Sequence, residues 1–277
     1  MNEPVRDFYD GLADEYHLMF ADWRQEISHQ GEALDAVIRQ RSEGSVTDLL
    51  DCACGIGTQA IALALQGYGV HATDFSAPAV ERARREAQSF AADITFDVAD
   101  FRALDQVFAE RFDVVICCDN ALSHCLESDD LPRALEQMRG RLRPGGLFLA
   151  SIRDYDRLLA RDASATALDP ELPGLHGKRQ EHGPRGTMPQ VFDDESGRRI
   201  AFQVWDWAPD GRSYAVHQYF VREAGGEYRT SHHVSRFRAL RRAELDEALA
   251  AAGFSDVRWH FPADSGFYQP VVTARAR

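Results

Sequence analysis

The residues best able to do chemistry sit at the ends of three short apolar runs. The first run, residues 46–51, leads into Asp51-Cys52-Ala53-Cys54-Gly55-Ile56-Gly57, which sets an acid beside two glycines. Gly55 and Gly57 allow a tight turn and let a ligand approach the backbone closely. The second run, residues 70–73, ends on Asp74-Phe75, and the third, residues 94–98, is followed by Asp100-Phe101. Asp74, at its strand end, can accept both hydroxyls of a ribose, and Asp100 offers one polar contact to adenine. Phe101 then supplies a flat face for a purine.

The acid in the glycine loop separates two ligand classes. A dinucleotide must seat its pyrophosphate on that loop and on the following helix N-terminus, where Asp51 would repel it. An ammonium group would be attracted instead. S-adenosylmethionine carries adenosine and an amino-acid end but no phosphate, so it suits the four features better than a nicotinamide cofactor does. The missing third glycine, at Ala60, also speaks against a dinucleotide dehydrogenase.

These steps need a frame to hold them. Helical spacing over residues 7–40 (Phe8, Leu12, Tyr16, Met19, Phe20, Trp23, Leu34, Val37, Ile38) predicts an N-terminal helical segment. Strands are predicted at 46–51, 70–73, 94–98, 112–118 and 146–153, with helices at 58–66, 78–89 and 131–141 between them. The turn Arg143-Pro144-Gly145-Gly146 separates the last helix and strand. Such alternation predicts an α/β fold: a Rossmann-like, seven-stranded, mostly parallel sheet with helices on both faces. Residues 154–190 read as loop with short helical pieces. Aromatic stretches from 200 to 238, broken at Pro209-Asp210-Gly211 and Gly225-Gly226, predict an inserted antiparallel lid. A helix over 242–252 and strands at 257–261 and 270–274 complete the core. The expected units are an N-terminal helical lid (1–45), a cofactor-binding core (46–155), a substrate lid (156–238) and a C-terminal part of the core (239–277).

Over roughly residues 46–155 the arrangement resembles the class I S-adenosylmethionine-dependent methyltransferases. Within them it is similar to the glycine and glycine/sarcosine N-methyltransferase group, through Leu49-Leu50-Asp51-Cys52-Ala53-Cys54-Gly55, Phe112-Asp113-Val114-Val115-Ile116-Cys117, the step from Asn120 to His124, and the stretch from Arg143-Pro144-Gly145-Gly146 to Tyr155-Asp156. The resemblance implies cofactor contacts at Ala53, Asp74, Asp100, Phe101, Cys118 and His124, under an N-terminal segment that brings Tyr9 or Tyr16 near the cofactor. Asp51, Gly55, Gly57 and Phe75 join that set from the loop and strand ends. The group holds the cofactor carboxylate with an arginine shortly after an Asp-Trp pair. Here Asp22-Trp23 is followed by Arg24, the candidate for that role, while Glu26 occupies the matching register.

On the acceptor side, Asn120 could accept from an amine or orient it. By resemblance, Arg153 binds the carboxylate of an amino-acid substrate bidentately; the alternative is a structural ion pair with Asp154 or Asp156. His124 completes the candidate catalytic set. The favoured reaction is methyl transfer to the amine nitrogen of an amino-acid-like small molecule. Trp205, Trp207, Tyr214, His217, Tyr219, His232 and His233 are more aromatic material than glycine needs, which keeps C-methylation of an electron-rich ring such as an indole as the alternative.

Other functions fit the sequence less well. The chain has 277 residues, 31 Lys+Arg against 44 Asp+Glu and a net charge of −13, so phosphate neutralisation, the main source of nucleic-acid affinity, is poorly served. The run Cys118-Asp119-Asn120-Ala121 also lacks the two prolines of the DNA amino-methylating enzymes. Neighbouring His232 and His233 point to opposite faces of a strand, and Cys52 and Cys54 lack zinc spacing, so no metal is expected. Five cysteines without a secretory leader or membrane span predict free thiols in the cytoplasm. A small-molecule partner is expected; a homo-oligomer is left open. A non-catalytic cofactor-binding module is disfavoured by the polar step at Asn120.

Overall fold

The computed structural model describes residues 3–42, 44–160, 186–194 and 197–277. Runs such as Leu49-Leu50, Val114-Val115-Ile116 and Leu147-Phe148-Leu149 are apolar at consecutive positions, so both faces of these strands must be covered. Parallel pairing with helices on each side achieves this. Strands β1 (Asp48–Asp51), β2 (Gly69–Asp74), β3 (Ile94–Val98), β4 (Phe112–Cys117), β5 (Leu142–Ser151), β10 (Phe254–His260) and β11 (Val271–Ala276) form one sheet in the order β3-β2-β1-β4-β5-β11-β10. Strand β11 alone runs antiparallel to its neighbours.

On one face Leu49, Val70, Val114 and Leu149 pack against α2 (Trp23–Arg41), α3 (Thr58–Leu65) and α4 (Ala77–Ser89). On the other, Leu50, Val115, Phe148 and Val272 pack against α5 (Asp130–Gly140) and α7 (Arg242–Ala251). Local chemistry sets the helix starts. Asp22 accepts from the Gln25 N–H at 3.1 Å to cap α2, and Ser76 accepts from the Ala79 N–H at 3.2 Å to cap α4.

The expected N-terminal unit divides in two. Helix α2 belongs to the core: Ile27, Leu34 and Ile38 are fully buried there, and the Trp23 indole N–H donates to Thr58 Oγ1 at 3.0 Å. Only α1 (Glu3–Leu12) and the 3-10 turn Tyr16–Met19 lie between core and lid. The lid is a four-stranded antiparallel sheet, β6 (Gln190–Asp194), β7 (Gly197–Trp207), β8 (Ser213–Ala224) and β9 (Glu227–Arg238). Strand β6 and the short helix α8 (Pro262–Ser265) were not expected, and residues 143–146 lie inside β5, at an irregular register with β4, rather than in a free turn. Helix α6 (Tyr155–Leu159) supplies one helical piece of the predicted 154–190 loop; the part at 161–185 lies outside the described residues.

The N-terminal segment is tied on both sides. Glu15 accepts from Arg222 at 2.5 Å and pairs with His233 at 2.9 Å on the lid. On the core side, Asp10 accepts from Ser76 Oγ at 2.6 Å. No helix among the described residues is long and apolar enough to cross a membrane, and all five cysteines are free and buried.

Candidate active site

Strand β1 lies between β2 and β4, so the strand order reverses there and a crevice opens beyond the carboxyl ends of these strands. It is lined by the loop after β1 (Ala53, Gly55, Ile56), by Asp74 and Phe75 ending β2, by Phe101, and by Cys118 and Asp119 after β4. Thr58 and Gln59 open α3 at its edge, and Tyr9, Tyr16 and His124 close it. Gly55 has φ +52°, a region costly for other residues, and no protein atom lies within 4 Å of where its Cβ would be. Gly57 (φ +95°) instead starts α3, where a Cβ would come within 3.2 Å of the Ala83 side chain.

Two buried carboxylates define the electrostatics. Asp51 Oδ1 accepts from the Ala53 N–H at 3.2 Å, while its buried Oδ2 has no hydrogen-bond partner. Burial pushes the Asp51 carboxyl up to about 7, aided by the charges of Asp74 and Asp119 and opposed by the Ala53 N–H. Asp74 accepts from the Gly55 N–H and the Ser76 N–H, each at 2.9 Å. Burial lifts it to about 6 against those bonds. Both acids would be favoured as carboxylates by a cationic ligand.

His124 is not placed as a base. Its Nδ1 lies 3.1 Å from the Arg236 carbonyl oxygen, which can only accept, so Nδ1 carries the proton. Nε2 then accepts from the Tyr9 hydroxyl at 2.7 Å. Burial drives the ring down to about 4, so it stays neutral and ties the N-terminal helix to the core.

A second cavity of about 210 Å³ adjoins the first, walled by apolar residues of the N-terminal segment (Phe8, Leu12, Met19, Phe20) and of the lid (Val216, Phe237). Arg153 lines it. Its guanidinium donates to the Tyr214 hydroxyl at 2.8 Å and lies over the Trp205 ring at 4.5 Å. Asp154 and Asp156, the acids that might have paired with it, are both taken by Arg242, at 2.6 and 3.5 Å. Among the described residues no carboxylate lies within ion-pair distance of Arg153. Asn120 also lines this cavity, but its amide is largely committed. Its Oδ1 accepts from Ser123 Oγ at 2.8 Å and the Arg153 N–H at 3.0 Å, and its Nδ2 donates to the Tyr155 hydroxyl at 3.0 Å. Through the Arg153 N–H it holds the backbone at that residue.

Of the residues expected from sequence, Tyr9, Tyr16, Ala53, Gly55, Asp74, Phe75, Phe101, Cys118 and His124 meet in the first cavity, and Asn120 and Arg153 in the second. Asp51 and Gly57 are not among the first cavity's lining residues, but each adjoins one that is, Asp51 next to Cys52 and Gly57 between Ile56 and Thr58. Two more of the expected residues line neither cavity. Arg24 is exposed, donating to Ser89 Oγ at 3.0 Å and stacked over Phe90 at 4.4 Å, away from the crevice. The N-terminal turn of α3, with Thr58 and Gln59, lies at the crevice edge instead. Asp100 is held by Arg102 at 2.7 Å and does not line the cavity. Trp205, Trp207 and Tyr214 pack on one another, Trp207 stacking on Tyr214 at 4.4 Å, rather than forming a slot. His217 and His232 stack on the other side of the lid, and no metal-ligating group occurs among the described residues.

Sequence reasoning passed over Asp119. It lines both cavities, and its carboxylate accepts from the Tyr16 hydroxyl and the Tyr268 hydroxyl. The adjacent pair Asp119-Asn120, two residue types that tolerate the left-handed backbone both adopt here (φ 59° and 66°), was the available signal.

Comparison with known proteins agrees with this geometry. Residues 49–146 match the family described as "Methyltransferase domain". Strand order, glycine loop and acidic strand ends agree with a Rossmann-like methyltransferase domain over that stretch. More particularly, the chain is similar to glycine/sarcosine N-methyltransferase of Parasynechococcus marenigrum, with 29% identity over 154 residues, 56% of this chain and 53% of that one. It is likewise 29% identical to glycine N-methyltransferase of Mus musculus over 171 residues, 54% of this chain and 57% of that one. The chain thus spans about half the length of the curated relatives it matches. Over nearly the whole chain the fold is similar to that of SAM-bound CalS10, an amino pentose methyltransferase from Micromonospora echinaspora (TM-score 0.67, 19% identity, 90% of this chain and 92% of that one).

Proposed function

We propose that this chain transfers a methyl group from S-adenosylmethionine to the amine nitrogen of an amino-acid-like small molecule. The observation that carries the acceptor assignment is Arg153, a cation facing a largely apolar cavity with no carboxylate of the described residues to pair with it. A substrate carboxylate would complete it. The cavity, at about 210 Å³, holds far more than glycine would fill, which supports an acceptor with an apolar side chain.

The first cavity fits the cofactor. The unpartnered Asp51 Oδ2 suits an ammonium group, Asp74 a ribose diol, Phe101 a purine, and the start of α3 a carboxylate. When bound, the cofactor supplies an electrophilic methyl on a positive sulfur, displaced in line by a nucleophile held about 3–3.5 Å away. The chain's part is to align and dry that line. Asn120, Tyr155 and Tyr214 fix Arg153 at backbone and guanidinium, and α1 covers the junction. A neutral amine needs no strong base once bound. The self-packed lid aromatics favour this reading over a ring acceptor.

Purified enzyme should be assayed with labelled cofactor against amino acids, amines lacking a carboxylate, and indoles, then repeated as Arg153→Ala. Loss of the charge-assisted pair should cost amino acids about 2–5 kcal/mol in kcat/KM and leave carboxylate-free amines nearly unchanged. Turnover of indoles alone, or an equal loss for both amine classes, would overturn the proposal.

A further inference from the structure

Resting on that reading, we infer that Asp119 binds the acceptor's ammonium group and takes its proton, converting it to the nucleophilic amine at the junction of the two cavities. Among the described residues only Tyr9, Tyr16 and Asp119 line both cavities, and the Tyr9 hydroxyl is spent on His124. The Asp119 carboxylate is held by phenols from opposite ends of the chain: Tyr16 donates to Oδ2 and Tyr268 to Oδ1. Each oxygen keeps a further lone pair for a substrate N–H.

The backbone is fixed as firmly. The Asp119 N–H donates to Ser151 Oγ at 2.8 Å and the Asn120 N–H to the Ser151 carbonyl at 3.1 Å. Two consecutive non-glycine residues with positive φ form a strained step of the kind found at functional sites. With Arg153 lining the same cavity, the chamber presents one anion and one cation, the complement of a zwitterion. The other titratable groups around Asp119 are Tyr9 and Tyr16 of the N-terminal segment, Tyr268 before β11, Asp51 of β1 and the adjacent Cys118. Burial first, and the Asp119 charge second, raise all three phenols, so they remain donors.

The step balances. The carboxylate accepts one proton from the ammonium nitrogen, freeing its lone pair. That pair forms the N–C bond to the methyl carbon as the C–S bond breaks and its electrons stay on sulfur. The product leaves as a secondary ammonium, and the proton held by Asp119 passes to solvent, one per methyl transferred.

Asp119→Asn and Asp119→Gly both accept the left-handed backbone and should fold. Each is assayed with the best amino-acid acceptor from about pH 6 to about pH 10, alongside calorimetric titration of S-adenosylhomocysteine. Near neutrality kcat/KM should fall about 100-fold or more, then climb with the free-amine fraction and converge on wild type where the acceptor is already neutral. Cofactor-product affinity should stay within about threefold. Tyr268→Phe, which loosens the carboxylate without removing it, should show a smaller loss with the same pH trend. A loss equal at every pH, a matching loss of S-adenosylhomocysteine binding, or an undiminished rate would overturn the inference while leaving amino-acid methylation standing. Failure of the wild type to methylate any amine would overturn both.

Discussion

Cofactor affinity should depend on pH through Asp51, and the size of the effect follows from its burial. The Asp51 carboxyl ordinarily titrates near 3.8 and is pushed up to about 7 in the folded chain. At about 1.36 kcal/mol per pH unit, keeping it charged costs the unliganded fold about 4 kcal/mol. Between about pH 4 and pH 7 the folded chain holds a proton that the unfolded chain has released. Stability without ligand therefore falls as pH rises through that window. A bound ammonium reverses the preference, because it favours the carboxylate. Binding below pH 7 must expel the proton, so affinity should weaken about tenfold from pH 8 to pH 6, with a further factor of about two from Asp74, which titrates near 6.

Calorimetric titration of S-adenosylhomocysteine at pH 6, 7 and 8, in buffers of different ionisation enthalpy, measures both affinity and proton release. Wild type should release about 1.4 protons at pH 6, about 0.9 from Asp51 and about 0.5 from Asp74. Asp51→Asn should bind about 10- to 100-fold more weakly at pH 8, the loss of one charge-assisted bond, and keep only the shallow dependence due to Asp74. It should also melt higher than wild type at pH 8 without ligand, having no buried charge to maintain. An affinity flat from pH 8 to pH 6, or a slope unchanged in Asp51→Asn, would refute the pairing of Asp51 with an ammonium.

Asp74→Asn should weaken S-adenosylhomocysteine binding at least tenfold and lower the melting temperature, since the amide cannot accept from both the Gly55 and Ser76 N–H groups as the carboxylate does; a thermal melt beside the titration checks both effects. Arg24→Ala should leave cofactor affinity within experimental error, because the residue is exposed and bonded to Ser89, and a tenfold loss would return it to the site. Removing residues 1–20 should leave a cooperatively folding core, by circular dichroism, because Trp23 and the rest of α2 remain in place. Its turnover should fall by orders of magnitude, the second cavity having lost the wall formed by Phe8, Leu12, Met19 and Phe20.

What the sequence made legible was what depends on neighbours along the chain. The parallel core could be read from runs such as Val114-Val115-Ile116, and the crevice from the acid or glycine that ends each of β1 and β2, because chemistry and position coincide within a few residues. The placement of Arg24 was not legible for the opposite reason: proximity to Asp22-Trp23 said nothing about which side of α2 would face α4, and its guanidinium lies over Phe90. Asp119 stayed hidden because the partners that give it meaning, Tyr16 and Tyr268, lie 103 and 149 residues away in sequence. Strand β6 is a ladder partner of β7 and carries little apolar alternation of its own, so pairing rather than composition defines it.

The placement of Tyr9 has a kinetic consequence. Tyr9 and Tyr16 of the N-terminal segment line the first cavity, so displacing that segment opens it to a nucleoside. That segment also walls the second cavity, so one opening event serves both ligands. To open, it must break its bonds to His124, Asp119 and Ser76 on the core and loosen Glu15 from Arg222 and His233 on the lid. Exchange of both ligands is thereby set to a single clock, the local unfolding of about twenty residues. Steady-state turnover should follow that clock, with product departure slower than the chemistry it follows. Amide hydrogen exchange within α1 should then report the same rate constant as product release.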